Sequence, residues 1–90
     1  MLKLVPSSRF KRDFKQAEKR GKDTAKLRAA LQLLIEEERL PASYRDHPLQ
    51  GRWKGYRDLH LEPGWLLLNR VKDDELQLAR TGSHADLFGE

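Results

Sequence analysis

The sequence predicts an α+β fold, with an N-terminal strand and an α-helical hairpin packed on a mainly antiparallel sheet. The order is β-α-α-β-β-β with a short C-terminal helix. Three observations predict it. Apolar residues recur at helical spacing between residues 10 and 35. The apolar period changes to two after Gly55. Tight-turn signals, Pro63-Gly64 and Lys72-Asp73-Asp74, separate successive strands, which makes neighbours antiparallel. Ninety residues are expected to form one domain, 1–90, with one modest core.

Each element follows from its residues. LKLV at 2–5 reads as a short strand stopped by Pro6. Ser7 or Ser8 can cap a helix in which Phe10, Phe14 and Ala17 form one apolar stripe, and Gly21 ends it. Asp23 or Thr24 caps a second helix with the stripe Leu27, Leu31, Leu34 and Ile35. Glu36, Glu37 and Glu38 are read as its solvated last turns, on the unfavourable side of the helix dipole, and Leu40-Pro41 closes it. The short link between the helices makes them an antiparallel hairpin. Residues 41–51 read as a loop. Beyond Gly55, alternation points Tyr56, Asp58, His60 and Glu62 one way, and Arg57, Leu59 and Leu61 the other. WLLLNRV at 65–71 is apolar enough for a central strand, and ELQLART at 75–81 alternates as the third strand of a meander. Ser83 can cap a last helix that carries His84, Leu87 and Phe88. The helices cover one sheet face through Leu59 and Leu61, which leaves the other for a polar site.

The composition excludes several classes. No cysteine is present, so there is no disulfide framework and no thiolate metal site. The start MLKLVP is too short and interrupted for a signal peptide, and no apolar run approaches membrane-spanning length. A soluble cytoplasmic protein with no membrane contact is expected. The net charge of +4 is uneven: residues 1–35 carry ten Lys/Arg against three Asp/Glu, and residues 36–90 carry eight against eleven. A basic half suits a polyanion or an acidic protein partner, and equally a solvated helix surface.

All three histidines lie in the second half. Asp58 and His60 share a strand face, where a carboxylate holds an imidazole's tautomer and favours its charged form. His84 sits near a helix N-terminus, beside backbone N–H groups suited to phosphate, with Phe88 one turn further on. His47 precedes Pro48 in the loop ahead of the sheet. Taken singly, each has a plain structural reading. Convergence of loop, strand and final helix would gather three histidines and Asp58, with Lys54, Arg57 and Arg80 around them. Such a set suits RNA cleavage without metal or other cofactor: a base takes the 2′ proton, an acid protonates the leaving 5′ oxygen, and cations stabilise the phosphorane. An aromatic such as Phe88 can stack on a base. A histidine metal site is the competing chemistry, and the spacing of 47, 60 and 84 matches no helical ligand pattern.

YRDHPLQGRWKGYRDLHLEPGW over residues 44–65, with ARTGSHADLFG over 79–89, closely resembles the YafQ-type toxins of bacterial type II toxin–antitoxin modules, within the RelE/ParE superfamily. DHPLQG, W-K-G-Y-R-D-x-H and R-T-G-[ST]-H-x-x-L-F carry the resemblance, which extends more loosely over nearly the whole chain. It implies a microbial-ribonuclease-like fold and ribosome-dependent cleavage of messenger RNA in the decoding site. It also implies a DinJ-like antitoxin that neutralises the toxin and contacts operator DNA on behalf of the complex. The resemblance places the active-site pattern on His47, Asp58, His60, His84 and Phe88. In it, His84 is the leading acid/base residue, His60 and His47 assist, Asp58 orients an imidazole, and Arg80 stabilises phosphate charge. Lys11, Lys15 and Lys19 recur at helical spacing and would lie along ribosomal RNA. Two positions depart from the pattern: Gly64 stands where an acidic residue is frequent, and Asn69 where an aromatic is common. Rival readings are a ParE-like toxin that poisons gyrase, and a catalytically weak antitoxin-binding co-repressor.

Overall fold

A computed structural model of the chain describes residues 1–89. Its elements are β1 (Lys3–Pro6), α1 (Ser8–Lys19), α2 (Thr24–Ile35), β2 (His47–Pro48), β3 (Arg57–Glu62), β4 (Trp65–Lys72), β5 (Glu75–Gly82) and α3 (His84–Phe88). One sheet runs β1-β5-β4-β3-β2, antiparallel except where β1 lies parallel to β5. The expected α+β order therefore holds, with one strand added. The segment 41–51, read as a loop, contains a short 3-10 turn (Ala42–Tyr44) and β2, and a second 3-10 turn begins at Gly51.

Capping residues set the helix starts. Ser7 Oγ accepts the Phe10 N–H at 2.9 Å, and Asp23 Oδ1 accepts the Ala25 N–H at 3.0 Å. The second helix ends earlier than its charge pattern suggested. Glu36 is its C-cap and Glu37 turns to φ 55°, so the glutamates lie at and beyond the end rather than in the last turns. The three carboxylates still lie at the negative pole of the helix, and their exposure to solvent screens that repulsion.

Two turns fix the meander. Pro63-Gly64 puts Gly64 at φ 84°, a conformation that a side chain resists and glycine accepts freely. Asp73 and Asp74 both take positive φ, the hairpin turn whose twist matches its strands.

The helices cover one face. Phe10, Ala17, Leu27 and Ala30 pack on Leu59, Leu61, Leu67, Leu76 and Leu78. Burial of each leucine is worth about 2 kcal/mol. On the other face Leu66, Leu68 and Leu87 form a smaller cluster with Leu49, Trp53, Ala79 and Phe88. Because both faces of β4 are covered, Trp65–Asn69 is buried without a break. Asn69 meets this burial by donating to the Leu67 carbonyl at 3.2 Å. No helix among the described residues is long and apolar enough to cross a membrane.

Candidate active site

The second sheet face brings the three histidines together. β2 pairs with β3 so that His47 stands opposite Asp58, while His60 stands opposite Leu66 on β4. The ring centroids of His47 and His60 are 5.7 Å apart, those of His60 and His84 6.2 Å, and those of His84 and Phe88 6.0 Å. The four rings form a continuous row. Two strands and a helix each contribute to it, so no local stretch of sequence contains it.

Each imidazole is held differently. His47 Nδ1 lies 2.7 Å from the Arg45 carbonyl oxygen. A carbonyl can only accept, so Nδ1 carries the proton and Nε2 is left to face Asp58 Oδ2 at 3.7 Å. That distance is too long for a hydrogen bond and short enough for a charge pair once the ring is protonated. His60 is half-buried, and its Nδ1 has no partner. His84 is exposed at the start of α3.

Asp58 is buried to 3% exposure, and its Oδ1 has no hydrogen-bond partner. Burial pushes its carboxyl above the ordinary carboxylate value, against the pull of His60, His47 and His84. A buried carboxylate with unmet acceptor capacity is a feature that structural roles alone leave without a reason.

The mount of His84 is a capping box. Ser83 Oγ accepts the Asp86 N–H at 3.1 Å, and Asp86 Oδ2 accepts the Ser83 N–H at 3.0 Å. These bonds take up two of the backbone donors that the sequence reading offered to phosphate. Arg20, the C-cap of α1, then donates to Asp86 at 2.7 Å and ties α3 to the end of that helix. This bond, with the Ser83 donors, holds the Asp86 carboxyl down to about 2.

The expected cations are placed differently from one another. Arg80 donates to both oxygens of Asp13, at 3.0 and 2.9 Å, and both side chains are largely buried. Arg57 donates to Asp46. Each guanidinium therefore already has a carboxylate. Lys54 is exposed and makes no ion pair among the described residues. Lys11, Lys15 and Lys19 are exposed along α1, which packs on β5, two strands away from β3. Glu62 leaves the face of His60. A register shift after His60 turns it to Lys22 and Lys26, which donate to it at 2.9 and 2.8 Å.

Sequence reasoning missed Asp13, Asp46 and the Arg20–Asp86 tie. Only the last had a signal, since Ser83-x-x-Asp86 is a capping-box pattern. It also misjudged metal-ligand geometry. His47, Asp58 and His60 offer ligand atoms that all lie within 4.8 Å of one another. Spacing along the chain hid this, because strand pairing creates it. Two imidazoles and a carboxylate fit a divalent transition ion with an open position.

The family described as the bacterial toxin of type II toxin–antitoxin system, YafQ, matches residues 2–89. The chain is similar to the mRNA interferase toxin YafQ of Escherichia coli, with 52% identity over 84 residues, 92% of this chain and 91% of the relative. Its fold is similar to the crystal structure of the Escherichia coli DinJ-YafQ complex, with a TM-score of 0.91 and 49% identity, covering 99% of this chain and 100% of that one. It is also similar to the crystal structure of a metal-bound toxin from Helicobacter pylori, with a TM-score of 0.92 and 39% identity over 98% of this chain and 100% of that one.

Proposed function

Since the chain belongs to the YafQ family of bacterial type II toxin–antitoxin toxins, we propose that it is an endoribonuclease that cuts messenger RNA in the decoding site of the ribosome. The observation that carries this reading is the row of His47, His60 and His84 beside the buried Asp58, closed by Phe88.

The chemistry uses the substrate's own 2′-hydroxyl. An imidazole takes the 2′ proton, and the 2′ oxygen attacks phosphorus. The bond to the 5′ oxygen breaks as a second imidazole protonates that oxygen. The products are a 2′,3′-cyclic phosphate and a free 5′-hydroxyl. His84 is the leading acid/base residue, because its ring is exposed, whereas the equally exposed His47 has one nitrogen tied to the Arg45 carbonyl. His60 and His47 relay protons or hold phosphate. Asp58 faces His47 across the ladder and orients an imidazole of the row. With Arg57 and Arg80 engaged by carboxylates, imidazolium itself supplies much of the positive charge facing the phosphorane. Phe88 offers a face for a base. If a divalent ion bound, His47, Asp58 and His60 would hold it, and it would supply Lewis-acid charge. Lys11, Lys15 and Lys19 serve the ribosome, and a DinJ-like antitoxin neutralises the toxin and brings operator DNA to the complex.

The test is messenger RNA cleavage in a purified translation reaction, with wild type and His84→Ala, each with and without ribosomes. Cleavage by wild type alone, and only with ribosomes, is the expected result. Equal cleavage by both proteins would move the chemistry to His60. No cleavage by wild type, with inhibition of gyrase supercoiling, would replace this reading by the gyrase-poisoning one.

A further inference from the structure

The sheet face that carries the histidines also carries an aromatic hollow. Trp53 and Tyr56, from the segment joining β2 to β3, stand edge to face with ring centroids 5.4 Å apart. They wall an apolar cavity of about 350 Å³, closed by Val5, Arg9, Ala79 and Arg80. Two guanidiniums lie on the pair. Arg70 is 4.5 Å from the Tyr56 ring centroid, steadied by a 2.6 Å bond to Gln77, and Arg52 is 5.9 Å from the Trp53 ring. Among the described residues, Arg9, Arg52, Lys54 and Arg70 make no ion pair, like most of the chain's cations, and so remain available to a phosphate. Trp53 and Phe88 rest on the same leucine cluster, Leu66, Leu68 and Leu87. The hollow and the histidine row therefore share one face and one support.

We propose that this hollow is a base-binding subsite for single-stranded RNA, seating a nucleotide that flanks the one whose phosphodiester is cut. This deepens the endoribonuclease reading and rests on it for the identity of the strand. Aromatic faces accept any base by stacking, so such a subsite grips RNA without demanding sequence. Guanidiniums lying on rings extend the stacking surface and leave N–H groups for the flanking phosphates. The unpaired cations around the hollow complement a phosphate chain. An acidic antitoxin segment is the competing occupant. The aromatic walls and apolar lining, with guanidiniums beside the rings, favour bases over it.

The experiment measures binding, without ribosomes, of fully 2′-O-methylated RNAs that cannot be cut. A mixed-sequence hexanucleotide and a dinucleotide too short to leave the histidine row are compared by fluorescence anisotropy. Tyr56→Leu, and the double variant Arg52→Gln/Arg70→Gln, are expected to weaken hexanucleotide binding about tenfold and to flatten its salt dependence. Dinucleotide binding stays unchanged, and Tyr56→Phe binds like wild type. Should Tyr56→Leu fail to fold, the arginine variant carries the test through side chains outside the core. Wild-type affinity of the arginine variant for the hexanucleotide overturns the subsite. So does a loss of antitoxin affinity with RNA affinity intact, which makes the hollow a peptide surface. A protein that binds RNA here yet cuts none keeps the subsite and removes the endoribonuclease reading. One that cuts RNA with these variants binding normally does the reverse.

Discussion

His47 Nε2 stands 3.7 Å from Asp58 Oδ2, across the two-residue ladder that joins β2 to β3. The Arg45 carbonyl fixes the proton on the far nitrogen, so the lone pair of the neutral ring faces the carboxylate. That arrangement is unfavourable until the ring is protonated, when it becomes an ion pair.

Asp58→Asn separates stability from activity. The folded-state value of Asp58 lies above its ordinary one because of burial. A raised carboxyl contributes stability at pH below its ordinary value, and that contribution is lost as pH rises through the folded value. The asparagine variant should therefore gain stability relative to wild type as pH rises to neutral, read as the difference in urea midpoint. Its cleavage should fall on the order of tenfold or more, since the imidazole row loses the carboxylate beside it. A midpoint difference that is the same at acid and neutral pH would remove the burial argument.

His84→Ala should lower ribosome-dependent cleavage by about a hundredfold or more. The side chain is exposed, so stability should change by no more than about 0.5 kcal/mol. A large loss of melting temperature would instead make His84 a packing residue of α3.

The α3 mount has its own signature. Ser83→Ala should cost about 1 kcal/mol through the lost cap, and should reduce cleavage by misplacing His84. The Asp86 carboxyl is held at about 2, below its ordinary 3.8, chiefly by Arg20. Its contribution is present above the ordinary value and is lost as pH falls through the folded one. Asp86→Asn should be less stable than wild type at neutral pH and should converge with it in strong acid. Parallel acid-unfolding curves would count against the tie to Arg20.

Arg80→Gln leaves Asp13 charged in a largely buried position. Stability should fall by about 3 kcal/mol. Adding Asp13→Asn should recover much of this loss, because the two side chains form one unit. Cleavage per folded molecule then decides the phosphate role. An activity loss in the double variant beyond its unfolded fraction assigns Arg80 to substrate as well.

Metal removal gives an independent check. A chelator selective for zinc over magnesium should leave cleavage unchanged. Added zinc should inhibit, by occupying His47, Asp58 and His60. Inhibition by the chelator would require a metal-assisted mechanism.

Much of the fold could be read in advance because its signals are local. Ser7, Asp23 and Ser83 announce helix starts, and each accepts the backbone N–H that its position predicts. The switch from helical to twofold apolar period marks the meander. The site was legible only as residue types. Asp58 and His60 on one strand face follow from alternation, and His84 beside Phe88 follows from helix spacing. The Asp13–Arg80 and Asp46–Arg57 pairs left no trace, since a charge in a list of charges does not name its partner. Glu62 was misplaced because a bulge changes the face, and alternation assumes that none is present.

Taken alone, the sequence determined the order of elements apart from β2, the face the helices cover, and the family to which the motifs belong. These depend on spacing of a few residues, where geometry is dictated by the backbone. The tertiary structure alone decided that β1 joins β5 in parallel, that His47 forms an edge strand opposite Asp58, and that three imidazoles stand in one row. Those contacts join residues far apart along the chain. Their cause is the joint burial of two apolar clusters on one sheet, which no single segment can achieve by itself.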